Sequence, residues 1–133
     1  MTTQTEFELL DALVDAFNDH DAQRLSEMHS EDARVFNDVM KPAKQGRAQI
    51  RSFFDGIFAG WPDCRWEKTR AFGQTDLWCM ECPFSGSSVN HPSAPIEMWD
   101  CGVFKIEDGE FIEVRFYIDT GTIAAQWKAQ GVV

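Results

Sequence analysis

Basic residues are scarce in this chain. Twelve Lys and Arg stand against 22 Asp and Glu, giving a net charge of −10. The deficit is concentrated in residues 1–32, where Arg24 is the single base beside nine acids; the remainder carries thirteen acids and eleven bases. An acidic face of this kind repels phosphate backbones and anionic lipid. Nucleic acid and membrane surfaces are therefore excluded as expected partners, and the face reads as a solubility device. Histidine is equally sparse: His20, His29 and His91 are scattered without metal-ligand spacing. No apolar run approaches the roughly 20 residues of a membrane span, and no charged-then-apolar leader opens the chain. The expectation is a cytoplasmic protein.

Cysteine is limited to Cys64, Cys79, Cys82 and Cys101, expected as free thiols in a reducing compartment. Cys79 and Cys82 are three residues apart. On a strand that spacing sends them to opposite faces, and Cys64 and Cys101 stand alone. Neither a redox pair nor a zinc site is expected, and no metal or cofactor is called for. With no repeat, linker or low-complexity tract, the expectation is one domain over residues 1–133.

Aromatic residues, by contrast, are plentiful. Eleven Phe and five Trp, within a 44% hydrophobic composition, suffice for a core and for a cavity lined with rings. Helical signals crowd the first half. Thr5 and Glu8 read as a capping box, followed by Leu9, Leu10, Leu13, Val14 and Phe17 at helical spacing. Asp21 caps a second helix carrying Ala22, Leu25 and Met28. A third follows Gly46, with Ile50, Phe53, Phe54, Ile57 and Phe58 along one stripe. A short strand over 34–38 separates the second and third helices. Four longer strands are predicted over 64–72, 77–85, 96–106 and 111–119. Asp108-Gly109 marks the hairpin between the last two, Gly73 to Asp76 a similar turn, and a short helix over 123–129 closes the chain. Helices first and an antiparallel meander afterwards indicate α+β: N-terminal helices packed on a strongly curved, mainly antiparallel sheet that encloses a pocket.

This element order resembles the cone-shaped nuclear-transport-factor-2-like (ketosteroid-isomerase-like) superfamily, and within it the SnoaL-like polyketide cyclases. Three segments carry the resemblance. Gly46-Arg47-Ala48-Gln49-Ile50 running to Phe54 is similar to the family's Gly-x-x-x-Ile-x-x-Phe helix start. Trp61-Pro62-Asp63 is similar to its aromatic-Pro-Asp. Phe104 to Glu113 resembles its closing hairpin, with an acid, Asp119, six residues after the Glu. Gln126 to Gly131 echoes its terminal Gln-x-Gly.

The resemblance implies that Asp119 is the general acid/base; the alternative is an N-cap for the last helix. Asp100 is the second catalytic candidate. By alternation it shares a face with Gly102, Phe104 and Ile106, and a buried protonated acid can donate to a substrate oxygen. Relatives often carry Asp or His where this chain has Gly102. Asn37 stands where ketosteroid isomerases place their base, with Asp38 next to it on the opposite face. Asn37 can donate to a substrate oxygen but cannot take a proton. Tyr117 shares alternation with Asp119, and Trp78, Trp99, Phe36 and Phe54 are candidates for the pocket wall.

The combined expectation is a cofactor-independent enzyme for a small, mostly apolar carbonyl compound, of isomerase, cyclase or lyase (dehydratase) type. The resemblance further implies a homodimer formed through the outer face of the sheet. Two alternatives stand beside it. One is a non-catalytic ligand-binding or dimerisation module. The other is a limonene-epoxide-hydrolase-like centre using Asp119, Asp100 and an arginine, for which Arg115 is the candidate.

Overall fold

A computed structural model describes residues 3–37 and 40–132. Asp38, the neighbour of Asn37, lies outside the described residues. The chain opens with α1 (Thr3–Asn18) and α2 (Ala22–Glu27), followed by β1 (His29–Phe36), β2 (Lys44–Gln45) and α3 (Arg47–Gly60). Five short strands then lead to two long ones: β3 (Arg65–Trp66), β4 (Arg70–Gln74), β5 (Leu77–Glu81), β6 (Phe84–Gly86), β7 (Ile96–Met98), β8 (Asp100–Glu107) and β9 (Glu110–Ile118). Helix α4 (Thr120–Ala129) ends the fold. The nuclear-transport-factor-2-like α+β architecture expected from the sequence is the one observed.

The apolar stripe of α3 faces the core, with Ile50 and Phe54 fully buried. Asp21 caps α2 by accepting the Arg24 amide at 3.0 Å. Helix α1 already begins at Thr3, ahead of the Thr5 and Glu8 pair. Strand β1 begins at His29, five residues before the predicted Arg34. Its opening His29-Ser30-Glu31-Asp32 is too polar to register as a strand, and its ladder with β9 shifts between His29 and Arg34.

The larger sheet has the order β2-β1-β9-β8-β5-β4. Only the β1–β9 pair in it is parallel. Strands β8 and β9 turn at Asp108 and Gly109, both at positive φ (51° and 78°), as a two-residue hairpin requires.

Three of the four long strands predicted from the sequence are broken. The runs 64–72, 77–85 and 96–106 each split, and their detached pieces form a second sheet in the order β3-β6-β7. The breaks fall side by side. The Glu67 amide donates to the Pro83 carbonyl at 3.1 Å, and the Cys82 amide donates to the Asp100 carbonyl at 2.8 Å. Pro83 brings no N–H of its own to a ladder. The strands thus bend together, and the small sheet folds over to make one wall of a cone. Between the helices and the inner faces of both sheets lies a core rich in rings, in which Phe17 stacks on Trp66 with centroids 3.7 Å apart.

Candidate active site

Asp100 is the first residue after the bend that separates β7 from β8. From there the strand alternates regularly, so Asp100, Gly102, Phe104 and Ile106 are all buried on the inner face. Asp100 is only 6% exposed. Its Oδ2 accepts a hydrogen bond from Trp66 Nε1 at 3.1 Å. Its Oδ1 is buried with no hydrogen-bond partner. Loss of hydration penalises the ionised form and pushes the carboxyl up from 3.8 to about 7, against the opposing pull of the Trp66 bond. Asp100 therefore changes protonation close to neutral pH.

A cavity of about 170 Å³ receives this carboxyl. Rings of Phe17, Phe53, Phe54, Trp61, Trp66, Phe84 and Phe116 form most of its wall, with Met98, Ile57, Ile118 and Ile123 between them. Asn37 and Thr120 are its other polar contributors. Such a site is mostly apolar, with Asp100 as the ionisable side chain on its wall.

Asp119 does not join Asp100 there. It stands just past β9 and caps α4, accepting the Thr122 amide on Oδ1 at 3.3 Å. Its carboxyl is exposed and lines a second, larger groove of about 730 Å³. Trp66, Phe84 and Met98 border both spaces. The two acids expected to act together thus do not line the same cavity, because the chain turns into a helix at Asp119 and strand alternation ends there.

The remaining predicted residues also divide. Asn37 and Phe54 line the cavity. Tyr117 does not: it is 48% exposed, opposite Cys101 on the outer face of the larger sheet. Trp99 sits at the bend, is 60% exposed and faces the outer groove. Trp78 is buried in the core beside Phe7. Phe36 lies under the guanidinium groups of Arg34 and Arg115 and is absent from the cavity wall. Arg115 is held near Glu113 at 3.5 Å, outside the cone. An aspartate pair bridged by an arginine is therefore not assembled around Asp100.

Trp66 was missed by sequence reasoning. The alternation Cys64 and Trp66 inward, Arg65 and Glu67 outward, was its one available signal. Gly102 is explained by crowding, since a Cβ there would sit 2.4 Å from Cζ of the Phe104 ring. An acid at this position has no room.

The histidines serve elsewhere. His29 is buried, donates from Nδ1 to the Leu25 carbonyl at 2.7 Å, and is pushed down to about 4, chiefly by burial. His20 packs flat on Phe58 and bonds the Cys64 carbonyl at 2.8 Å. Among the described residues, no three His, Cys, Asp or Glu side chains converge as metal ligands would. Nor is any helix there long and apolar enough to cross a membrane.

Known proteins agree with this geometry at the level of fold. A protein described provisionally as a SnoaL-like polyketide cyclase from Jannaschia sp. CCS1 superposes with a TM-score of 0.81 at 18% identity, over 92% of this chain and 91% of that one. A protein with a ketosteroid-isomerase-like fold from Catenulispora acidiphila, solved in complex with trimethylamine, gives 0.84 at 17%, over 95% and 94%. The epoxide hydrolase/cyclase-like enzyme SalBIII, of pyran ring formation in polyether salinomycin, gives 0.80 at 17%, over 89% and 93%. No curated protein sequence matches the chain at a significant level. The SnoaL-like domain profile matches residues 10–114, and with its segments, its bent sheets and its cone all in place, the chain belongs to the SnoaL-like family.

Proposed function

We propose that this protein is a cofactor-independent enzyme that moves a proton on a small, mostly apolar carbonyl compound, with Asp100 as its general acid/base. The observation that carries the reading is the free Oδ1 of a buried carboxyl in a ring-lined cavity. In its ionised form Asp100 takes a proton from the carbon beside the carbonyl; the resulting acid then returns it to a second position. Isomerisation, aldol-type ring closure and dehydration all contain that step. Burial helps twice: it brings the carboxyl near neutral pH, and it keeps water from competing for the proton. The amide of Asn37 supplies a donor for the substrate oxygen as charge develops there.

The experiment is a turnover screen of compact cyclic and unsaturated ketones with the native protein and Asp100→Asn. The substitution keeps the shape and an acceptor for Trp66 but removes the base. Turnover should fall by about 100-fold or more, with the circular dichroism spectrum unchanged. Equal turnover in the two proteins contradicts the proposal. The narrowness of the cavity favours a second reading, a binding module. Equal ligand affinity in both proteins, with no compound converted by either, supports that one.

A further inference from the structure

Cys79 and Cys101 are 22 positions apart in the chain, yet their Sγ atoms lie 3.3 Å from each other. The register explains this. Cys79 on β5 pairs with Val103 on β8, so Cys101 is its diagonal neighbour on the same, outer face of the larger sheet. Neither thiol belongs to the catalytic proposal, and each is only half-buried. Cys64 and Cys82 differ: both are buried, and burial pushes each thiol up to about 12. The sequence reading that left Cys101 alone is thereby corrected. The Cys-x-x-C spacing of Cys79 and Cys82 conceals the real pair, which forms across strands.

We infer that Cys79 and Cys101 form a reversible dithiol–disulfide site, oxidised by a hydroperoxide. The Cys79 sulfur attacks the peroxide, the O–O bond breaks, one oxygen stays on sulfur as a sulfenic acid, and the other leaves as water (or as the alcohol of an organic hydroperoxide). The Cys101 sulfur then displaces that hydroxyl. The S–S bond forms, and the hydroxyl leaves with the Cys101 proton as a further water. Two thiols lose two electrons and the peroxide gains them. Burial, and then the neighbouring Cys79 sulfur, push the Cys101 thiol up to about 12, so Cys101 is held as the protonated thiol and gives up its proton as it attacks the sulfenic sulfur.

Diagonal strand neighbours start with Cα atoms about 7–8 Å apart, beyond the usual span of a disulfide. Closing the bond draws β5 and β8 together, and a bond formed under such strain is readily reduced. Cys101 directly follows Asp100, with the thiol outside the sheet and the carboxyl inside. The inference holds whether or not Asp100 is catalytic.

The test uses the reduced, full-length protein at low concentration. It is treated with hydrogen peroxide, quenched with N-ethylmaleimide, and analysed by intact mass and by peptide mapping without reductant. The expected result is the loss of two alkylatable thiols per chain, a peptide joining Cys79 to Cys101 within one chain, and full recovery with dithiothreitol. Cys79→Ser and Cys101→Ser should each abolish that peptide. Retention of all four alkylatable thiols, a bond to Cys64 or Cys82, a link between two chains, or irreversible Cys79 sulfinate would each overturn the inference. Because mapping is done on the native chain, a variant that fails to fold does not remove the test.

Discussion

Asp100 binds its proton up to about pH 7 in the folded protein, against an ordinary value of 3.8. Between those values the folded state holds more protons than the unfolded one, so stability falls as pH rises from about 4 to about 7. At full extent the penalty is on the order of 4 kcal/mol, at about 1.4 kcal/mol per unit. An asparagine at this position carries no such titration. The stability difference between Asp100→Asn and the native protein should therefore move in favour of the variant as pH is raised from 4 to 8. Urea unfolding at several pH values measures it, and a difference that stays constant would mean that Asp100 is solvated. The same desolvation sets the direction of the rate profile: if the carboxylate starts the reaction, kcat/KM rises through the Asp100 midpoint to a plateau.

At the scale of elements, the decisive feature is the shared bend in three strands. It turns the small sheet over the cone and brings Trp66 of β3 against Asp100 of β8. A related consequence concerns α4, whose first turn is held by Asp119. Replacing Asp119 by Ala should cost about 1 kcal/mol of stability. Asp119→Asn, which keeps a capping oxygen, should change neither stability nor turnover; loss of turnover in that variant would return Asp119 to the mechanism. Much of this level was legible in the sequence. The ring stripe of α3 had helical period, Asp108-Gly109 announced its hairpin, and alternation placed Asp100, Gly102, Phe104 and Ile106 on one face. The bends were not legible, because the runs 77–85 and 96–106 keep one alternation across the break and backbone hydrogen bonds continue through it. Trp66 was hidden in a strand of two residues. The direction of Asp119 was beyond alternation, which stops where the backbone leaves the strand.

At the scale of the molecule, the cone limits what can react. Its free volume, about 170 Å³, is below the roughly 300–1,000 Å³ usual for ligand pockets, so a compact substrate with few polar groups fits best. The opposite side of the larger sheet presents Phe72, Leu77 and Tyr117 as exposed apolar side chains, with Arg70–Glu81 and Arg34–Glu113 ion pairs nearby. We propose this face as the contact for a second copy of the chain; Phe72 and Tyr117 lie opposite Cys79 and Cys101 there, so the dimer would cover the two thiols and the peroxide meets them in the free monomer. Sedimentation equilibrium should then report a dimer that Phe72→Glu shifts to monomer; a native protein that is monomeric at all concentrations would exclude it.

The titration of the desolvated Asp100 carboxyl can be observed without knowing the substrate. Carbon-detected NMR of the aspartate Cγ resonances, with Asp100→Asn to assign the signal, gives that midpoint. The expected value for Asp100 is near 7. In Trp66→Phe, where the one hydrogen bond to the carboxylate is gone, the midpoint should move higher still. A native midpoint near that of an ordinary aspartate, about 3.9, would show a hydrated group and contradict the proposed chemistry of the cone.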